Sequence, residues 1–540
     1  MRRAARLVVA YAAITLVMTW PIFNVAALST ASYEGDARLV IWVLGWDNHA
    51  VLSGLPLFQS NIFYPAADSL AYTEHMFGIS LFTLPIYALT HNPVLAYNVI
   101  WFLSFVLNGL ATHALLRRYT ANDLAAFTGS LIFTFSFYRM LQGHGHLQQI
   151  WTWLVPLSLL LVERWFDRPT WLRAIAWSAA VLLQALGSWY VAVMVVLANG
   201  VVIAWRLAAG PRSPLVTRLV QLLVVSAAAA VVIWPFAAHY RTLAPVEPRE
   251  ILSLSADAAS YLMPAEHTWP GRAWLATMGR GPGSMFGERT MYLGWIALVL
   301  AACGVVAAAA RNQWRTAGPY AAIALVAVLL SLGPPARPSG WMLYSLATHF
   351  PGIDGFRAPA RFGLLVLLGV AALAALGVDA IVNRWPRAWT ASLVIVPLML
   401  SEWFVIGFPG KRPQPFLVPA IYRTPQVQSA RALVSLPSYR GDIHWFWEPD
   451  YLLYSTVHWR PIVNGYGRWE PPEHAHNISH MMAFPGPNNA KTMRALGVEY
   501  VVLHAGRIPG GAAEILRDAQ ASAEYDLVAQ IGTDYLYRVK

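Results

Sequence analysis

The chain has 540 residues, of which 57% are hydrophobic and only 12% charged, where an ordinary soluble domain carries about 25% charged residues; a soluble enzyme is excluded. The net charge of +11 comes from 38 Lys and Arg against 27 Asp and Glu. The arginines sit in short loops between apolar runs, which is the pattern of membrane orientation rather than of nucleic-acid binding, and the single cysteine, Cys303, excludes an intramolecular disulfide.

In chain order, Arg2-Arg3-Ala4-Ala5-Arg6 precedes an apolar stretch at 7–28. That stretch is too long for the apolar region of a signal peptide and reads as a first transmembrane helix that stays attached. Further runs at 94–116, 121–141, 147–163, 171–187, 189–206, 215–237, 291–310, 317–333, 361–382 and 388–408 have the length that crosses roughly 30 Å of hydrocarbon, which gives about eleven spans. The segment 74–90 is apolar but short, begins with Glu74-His75 and contains Pro85. Read as a helix that dips into or lies along the outer leaflet, it leaves the compact basic loops (Arg2, Arg3 and Arg6; Arg117 and Arg118; Arg164, Arg168 and Arg173; Arg384 and Arg387) on the cytoplasmic side.

The expected fold class is therefore an α-helical polytopic membrane protein, N-terminus in and C-terminus out. Its membrane domain is 1–408, with long outward segments at 28–73, 238–290 and 334–360. Pro409-Gly410-Lys411-Arg412-Pro413-Gln414-Pro415 marks a linker into a C-terminal extracytoplasmic domain, 409–540. Strand-like segments at 498–503 and 534–539 alternate there with helix-like ones at 490–496 and 511–521, so a small α/β domain is expected.

Chemistry is sought in the outward segments. Just after the first span stands Tyr33-Glu34-Gly35-Asp36-Ala37-Arg38, followed by an amphipathic stretch through His49. Two carboxylates about a glycine can act as a general base for a hydroxyl nucleophile, or hold a divalent cation that neutralises a phosphate; a hydrated acidic loop has the same composition.

An acidic pair in the first outward loop, a juxtamembrane helix, seven spans before a long outward loop and an outward C-terminal domain together resemble the GT-C superfamily of integral membrane glycosyltransferases. The likeness is best in residues 1–240. It implies transfer of a sugar from a polyprenyl-phosphate carrier to a lipid, glycan or protein acceptor on the outer side of the membrane, with Asp36 as catalytic base and Glu34 assisting it or sharing a divalent cation (Mg or Mn). The second acid that such families place in a later outward loop has no match after the third span.

At that place stand Tyr138-Arg139-Met140-Leu141-Gln142-Gly143-His144-Gly145-His146-Leu147-Gln148-Gln149. Arg139, His144 and His146 crowd the outer end of a helical hairpin, where they can meet a phosphate head group or only hydrogen-bond. In the 238–290 loop, Asp257, Glu266 and His267 are candidates because the resemblance assigns such loops to substrate sites; packing on the tail explains them equally well. Arg357 and Arg361, four apart at the start of a span, suit a phosphate if they share an inward helical face, although interfacial arginines also reach for lipid phosphates.

In the tail, Trp445-Phe446-Trp447-Glu448 and the aromatics of 459–470 can stack on sugars or dock at the interface. His476 and His480 have the helical spacing of a zinc pair but no cysteine or H-E-x-x-H companion. No phosphate-binding glycine motif of the nucleotide-binding kinds is present. A transporter or flippase of lipid-linked saccharides would put ionisable groups in mid-span, yet Asp123, Glu163 and Asp379 lie at or near span ends and Glu402 alone is within one. A non-catalytic membrane assembly factor would keep the architecture without needing Glu34 and Asp36.

Overall fold

The computed structural model describes residues 2–20, 35–209, 215–241, 246–278, 287–335, 342–349, 355–405, 417–438 and 447–540. It is mostly helical and divides into two compact units. Unit 1 holds Met1–Asn24, Val99–Pro235 and Pro245–Arg412; unit 2 holds Val25–Asn98, Phe236–Ala244 and Pro413–Lys540.

Among the described residues, five helices are long and apolar enough to cross a membrane by length and composition: Pro93–Leu116, Trp189–Ala208, Leu215–Ala238, Trp314–Ser331 and Pro359–Arg384. Other apolar runs form shorter helices, among them Phe77–Thr90, Asp123–Phe135, Trp171–Ala185 and Trp295–Ala310. The run expected at 121–141 is interrupted at Ser136, between the helices Asp123–Phe135 and Phe137–Gln142. The next run is split into Leu147–Ile150 and Leu154–Asp167.

Unit 1 is organised around Gly363–Arg384, a helix buried along nearly its whole length. Trp295–Ala310 crosses it closely. A Cβ on Gly304 would lie 1.9 Å from the Leu373 carbonyl oxygen, and one on Gly377 would lie 2.2 Å from that of Leu300. Small residues at crossings are how helices pack where lipid is as apolar as the side chains. Asn122 caps Asp123–Phe135 by accepting the Leu124 N–H at 2.8 Å, and its own N–H is accepted by Asp379 at 2.9 Å.

Unit 2 contains a four-stranded sheet of order β1-β2-β4-β3: β1 (Leu433–Leu436), β2 (Tyr500–His504), β3 (Tyr525–Ile531) and β4 (Asp534–Val539). β1 and β2 run parallel, the other pairs antiparallel. Helices His474–Met482, Pro487–Leu496 and Ala513–Ala521 supply Ile478, Met481, Met493 and Ala519 to a core with Val434, Val501 and Tyr537.

The compact units depart from the expected division at residue 408. The segment expected as an outward loop of the membrane domain belongs with the tail, because its backbone is bonded there: Phe63 N–H to Asn464 O at 3.0 Å, Tyr64 N–H to Ile462 O at 3.0 Å and Ile462 N–H to Asn61 O at 2.7 Å. The helix Phe77–Thr90, with Pro85 inside it, lies in the same unit.

Candidate functional site

In unit 2 the helix Gly35–Ser53 starts at the acidic motif, so Asp36 stands in its first turn. The unsatisfied N–H groups and the dipole of a helix N-terminus favour a carboxylate there. Asp36 is partly exposed and accepts a 2.7 Å hydrogen bond from the Tyr466 hydroxyl. Two residues on, Arg38 is ion-paired with Asp450. Asp450 also accepts from Arg507 at 3.0 Å, whose guanidinium lies 4.1 Å over the Trp447 ring. Burial pushes the Asp450 carboxyl up against the pull of these two arginines.

Glu448, the first residue of the helix Glu448–Ser455, is buried with neutral partners. It accepts from Ser438 Oγ at 2.5 Å, Asn464 Nδ2 at 3.3 Å and Gly465 N–H at 3.3 Å. Burial pushes its carboxyl up to about 7.

Glu34 lies outside the described residues. Of the two acids expected to share a divalent cation, Asp36 alone is described, and among the described residues no three His, Cys, Asp or Glu side chains converge.

In unit 1 the polar elbow between Phe137–Gln142 and Leu147–Ile150 gathers other expected residues around an acid that the sequence reading missed. Glu288 receives Arg361 on both oxygens, with Nε at 3.0 Å from Oε2, and Gln142 Nε2 at 3.3 Å. The Arg361 guanidinium lies 4.3 Å over the Tyr190 ring. Burial alone would raise the Glu288 carboxyl, but Arg361, with His146 and Arg357 in electrostatic reach, holds it well below the usual carboxylate range. Arg357 donates to Glu250 at 2.8 Å. His144 is buried, and burial followed by the charge of His267 pushes its imidazole down to about 3, so it is neutral at pH 7.

Other expected residues have different work. Arg139 is fully buried and donates to Thr134 O at 3.2 Å, Thr152 Oγ1 at 2.6 Å and Ile150 O at 2.6 Å; it clamps the elbow's backbone rather than facing a phosphate. Asp257 caps the helix Ala258–Leu262 in a capping box with Ser260 and pairs with Arg289. Glu266 is exposed. Glu288 had one legible cue, its place as the last acid before the run at 291–310, at the same span-end depth as the 138–149 segment.

The family model described as "Domain of unknown function (DUF6311)" matches residues 7–401. The chain belongs to this family. Among solved structures, the arabinofuranosyltransferase AftD from Mycobacteria superposes on this family member with a TM-score of 0.59 at 16% identity, covering 99% of this chain and 40% of AftD. The oligosaccharyltransferase of Archaeoglobus fulgidus, solved with a tethered acceptor peptide, superposes with a TM-score of 0.51 at 12% identity, covering 92% of this chain and 68% of that one. Both are GT-C glycosyltransferases; this chain has the GT-C fold and is an integral membrane protein. It spans about two fifths of the AftD chain it matches. No curated protein matches it.

Proposed function

We propose that the protein is a membrane glycosyltransferase that moves a sugar from a polyprenyl-phosphate carrier to a lipid, glycan or protein acceptor on the outer face of a bacterial cytoplasmic membrane. The GT-C fold supports the class of reaction. The observation that carries the assignment is Asp36, a partly exposed carboxylate at a helix N-terminus, oriented by the Tyr466 hydroxyl.

In this reading Asp36 takes the proton of the acceptor hydroxyl as its oxygen bonds to the sugar's anomeric carbon. The bond from that carbon to the carrier phosphate breaks, and its electron pair leaves with the phosphate, so the configuration inverts. Negative charge develops on phosphate oxygens, which fixed cations in a poorly hydrated site stabilise best. Unit 1, taken by itself, holds two cations of that kind, Arg361 and Arg357. A guanidinium carries five donors, so the bonds to Glu288 and Glu250 exhaust neither arginine.

The topology that goes with this reading has about eleven spans, the N-terminus inside and the C-terminal α/β domain outside. Asp36→Asn in the lipid-reconstituted full chain is expected to lower transfer from radiolabelled polyprenyl-phosphate sugars into a membrane extract by about 100-fold or more. Unchanged transfer would remove Asp36 from the mechanism.

A further inference from the structure

The elbow of unit 1 concentrates buried polar atoms that no described residue satisfies. They are Tyr138 Oη, Gln142 Oε1, Gln148 Oε1, Gln184 Oε1 and both terminal atoms of the Gln149 carboxamide. Gln149 and Tyr138 are fully buried, and Gln142, Gln148 and Gln184 are nearly so. Native structures leave few such groups, and a cluster of them calls for an explanation.

The chemistry of the cluster restricts what it can take. Gln142 turns its amide nitrogen to the Glu288 carboxylate at 3.3 Å, and Gln184 turns its own to the Trp151 carbonyl at 2.9 Å. Both partners only accept, so each carboxamide oxygen is fixed facing the other way. The set thus combines the carboxamide oxygens of Gln142, Gln148, Gln149 and Gln184 as acceptors with the Gln149 amide and the Tyr138 hydroxyl as donors, and the hydroxyls of Thr134 and Ser136 stand at the bend just before it. A phosphate or carboxylate group, which only accepts, is disfavoured. The nearby carboxylates, Glu288 and Glu250, each already face an arginine, whose charge disfavours a desolvated ammonium beside them. Hydroxyl groups, each a donor and an acceptor, match.

We propose that Tyr138, Gln142, Gln148, Gln149 and Gln184 form a subsite for a neutral polyol, the uncharged sugar of the carried donor, and that they select it against uronic acids and amino sugars. The inference rests on the proposed glycosyltransferase reading and adds the class of sugar to it.

The test is equilibrium binding, without transfer, to the full chain in nanodiscs, using radiolabelled polyprenyl-phosphate mannose, polyprenyl-phosphate glucosamine and bare polyprenyl phosphate. Wild type is expected to bind the mannose carrier about tenfold or more tightly than the bare carrier. Gln149→Leu should bring that ratio close to one while leaving affinity for the bare carrier, which also reports intact folding, unchanged. Gln149→Glu keeps the side chain's shape and should shift preference to the glucosamine carrier, so the proposal stays testable if the Leu variant misfolds. A wild-type ratio near one, or a ratio untouched by both substitutions, would overturn the subsite and leave carrier binding standing. Failure of wild type to bind any of the three would overturn the glycosyltransferase reading and the subsite with it.

Discussion

Glu288 in unit 1 and Glu448 in unit 2 are both acids taken largely out of water, and they are held in opposite directions. Burial penalises the charge of each. Glu288 meets the Arg361 guanidinium on both oxygens and stays ionised. Glu448 meets a hydroxyl, an amide and a backbone N–H, none of them charged, and is pushed up to about 7. The charge of the partner, rather than depth, decides whether a buried carboxyl keeps its proton.

The contrast is broken most severely by Arg361→Ala. Removing one member of a buried ion pair leaves the other charge unpaired, at a cost of about 3–5 kcal/mol. Thermal unfolding of the purified full chain is expected to show a large destabilisation, and Glu288→Gln in the same chain should recover much of it. An unchanged melting temperature would mean that Glu288 and Arg361 do not hold each other in the folded protein.

Glu448 gives a smaller effect of opposite sign. Its carboxyl rises from an ordinary value of 4.5 to about 7 in the folded chain, so the folded state binds its proton more tightly than the unfolded state does. The stabilisation is full below pH 4.5 and is lost as the pH rises through 7, a change of about 3 kcal/mol from this group. Glu448→Gln, neutral at every pH, should therefore flatten the fall in stability between pH 5 and pH 8. A variant whose stability falls as steeply as that of wild type would place the titration elsewhere.

These two acids also mark what could be read from the sequence. β2 and β4 were legible within a few residues because 498–503 and 534–539 are runs rich in Val, Tyr and Leu. β1 was not, since Leu433–Leu436 is only four residues long, too short a run to stand out as a strand. Neither was β3, where a register shift between Leu527 and Ala529 interrupts the pairing. His144, His146 and Arg361 were singled out because span ends collect polar groups, and His267 because the resemblance assigns its loop to substrate sites. Glu288 was missed because its partner is 73 residues away, a separation that no motif spacing encodes. For Arg139 the converse holds: its sequence position put it at the membrane surface, and only the fold shows it fully buried with bonds to Thr134, Ile150 and Thr152. The pairing of Phe63 and Tyr64 with Asn464 and Ile462, which joins the first outward segment to the tail, was equally beyond local pattern.

The smallest expected effect sharpens the comparison from the side of the proposed base. Tyr466 reaches Asp36 from the tail with one hydroxyl, a neutral partner like those of Glu448, but on a carboxylate that is partly exposed. Tyr466→Phe removes that bond and keeps the ring, which costs about 1 kcal/mol. If the hydroxyl orients Asp36 toward the acceptor, the loss falls on the transition state: kcat should drop by roughly fivefold with KM for the donor unchanged. The same substitution placed on Asp36→Asn should lower the residual rate no further, because two groups that act as one unit are not additive. A full fivefold loss in the Asp36→Asn background would show that Tyr466 acts independently of Asp36, and a rise in KM alone would make it a contact to substrate rather than a positioning residue.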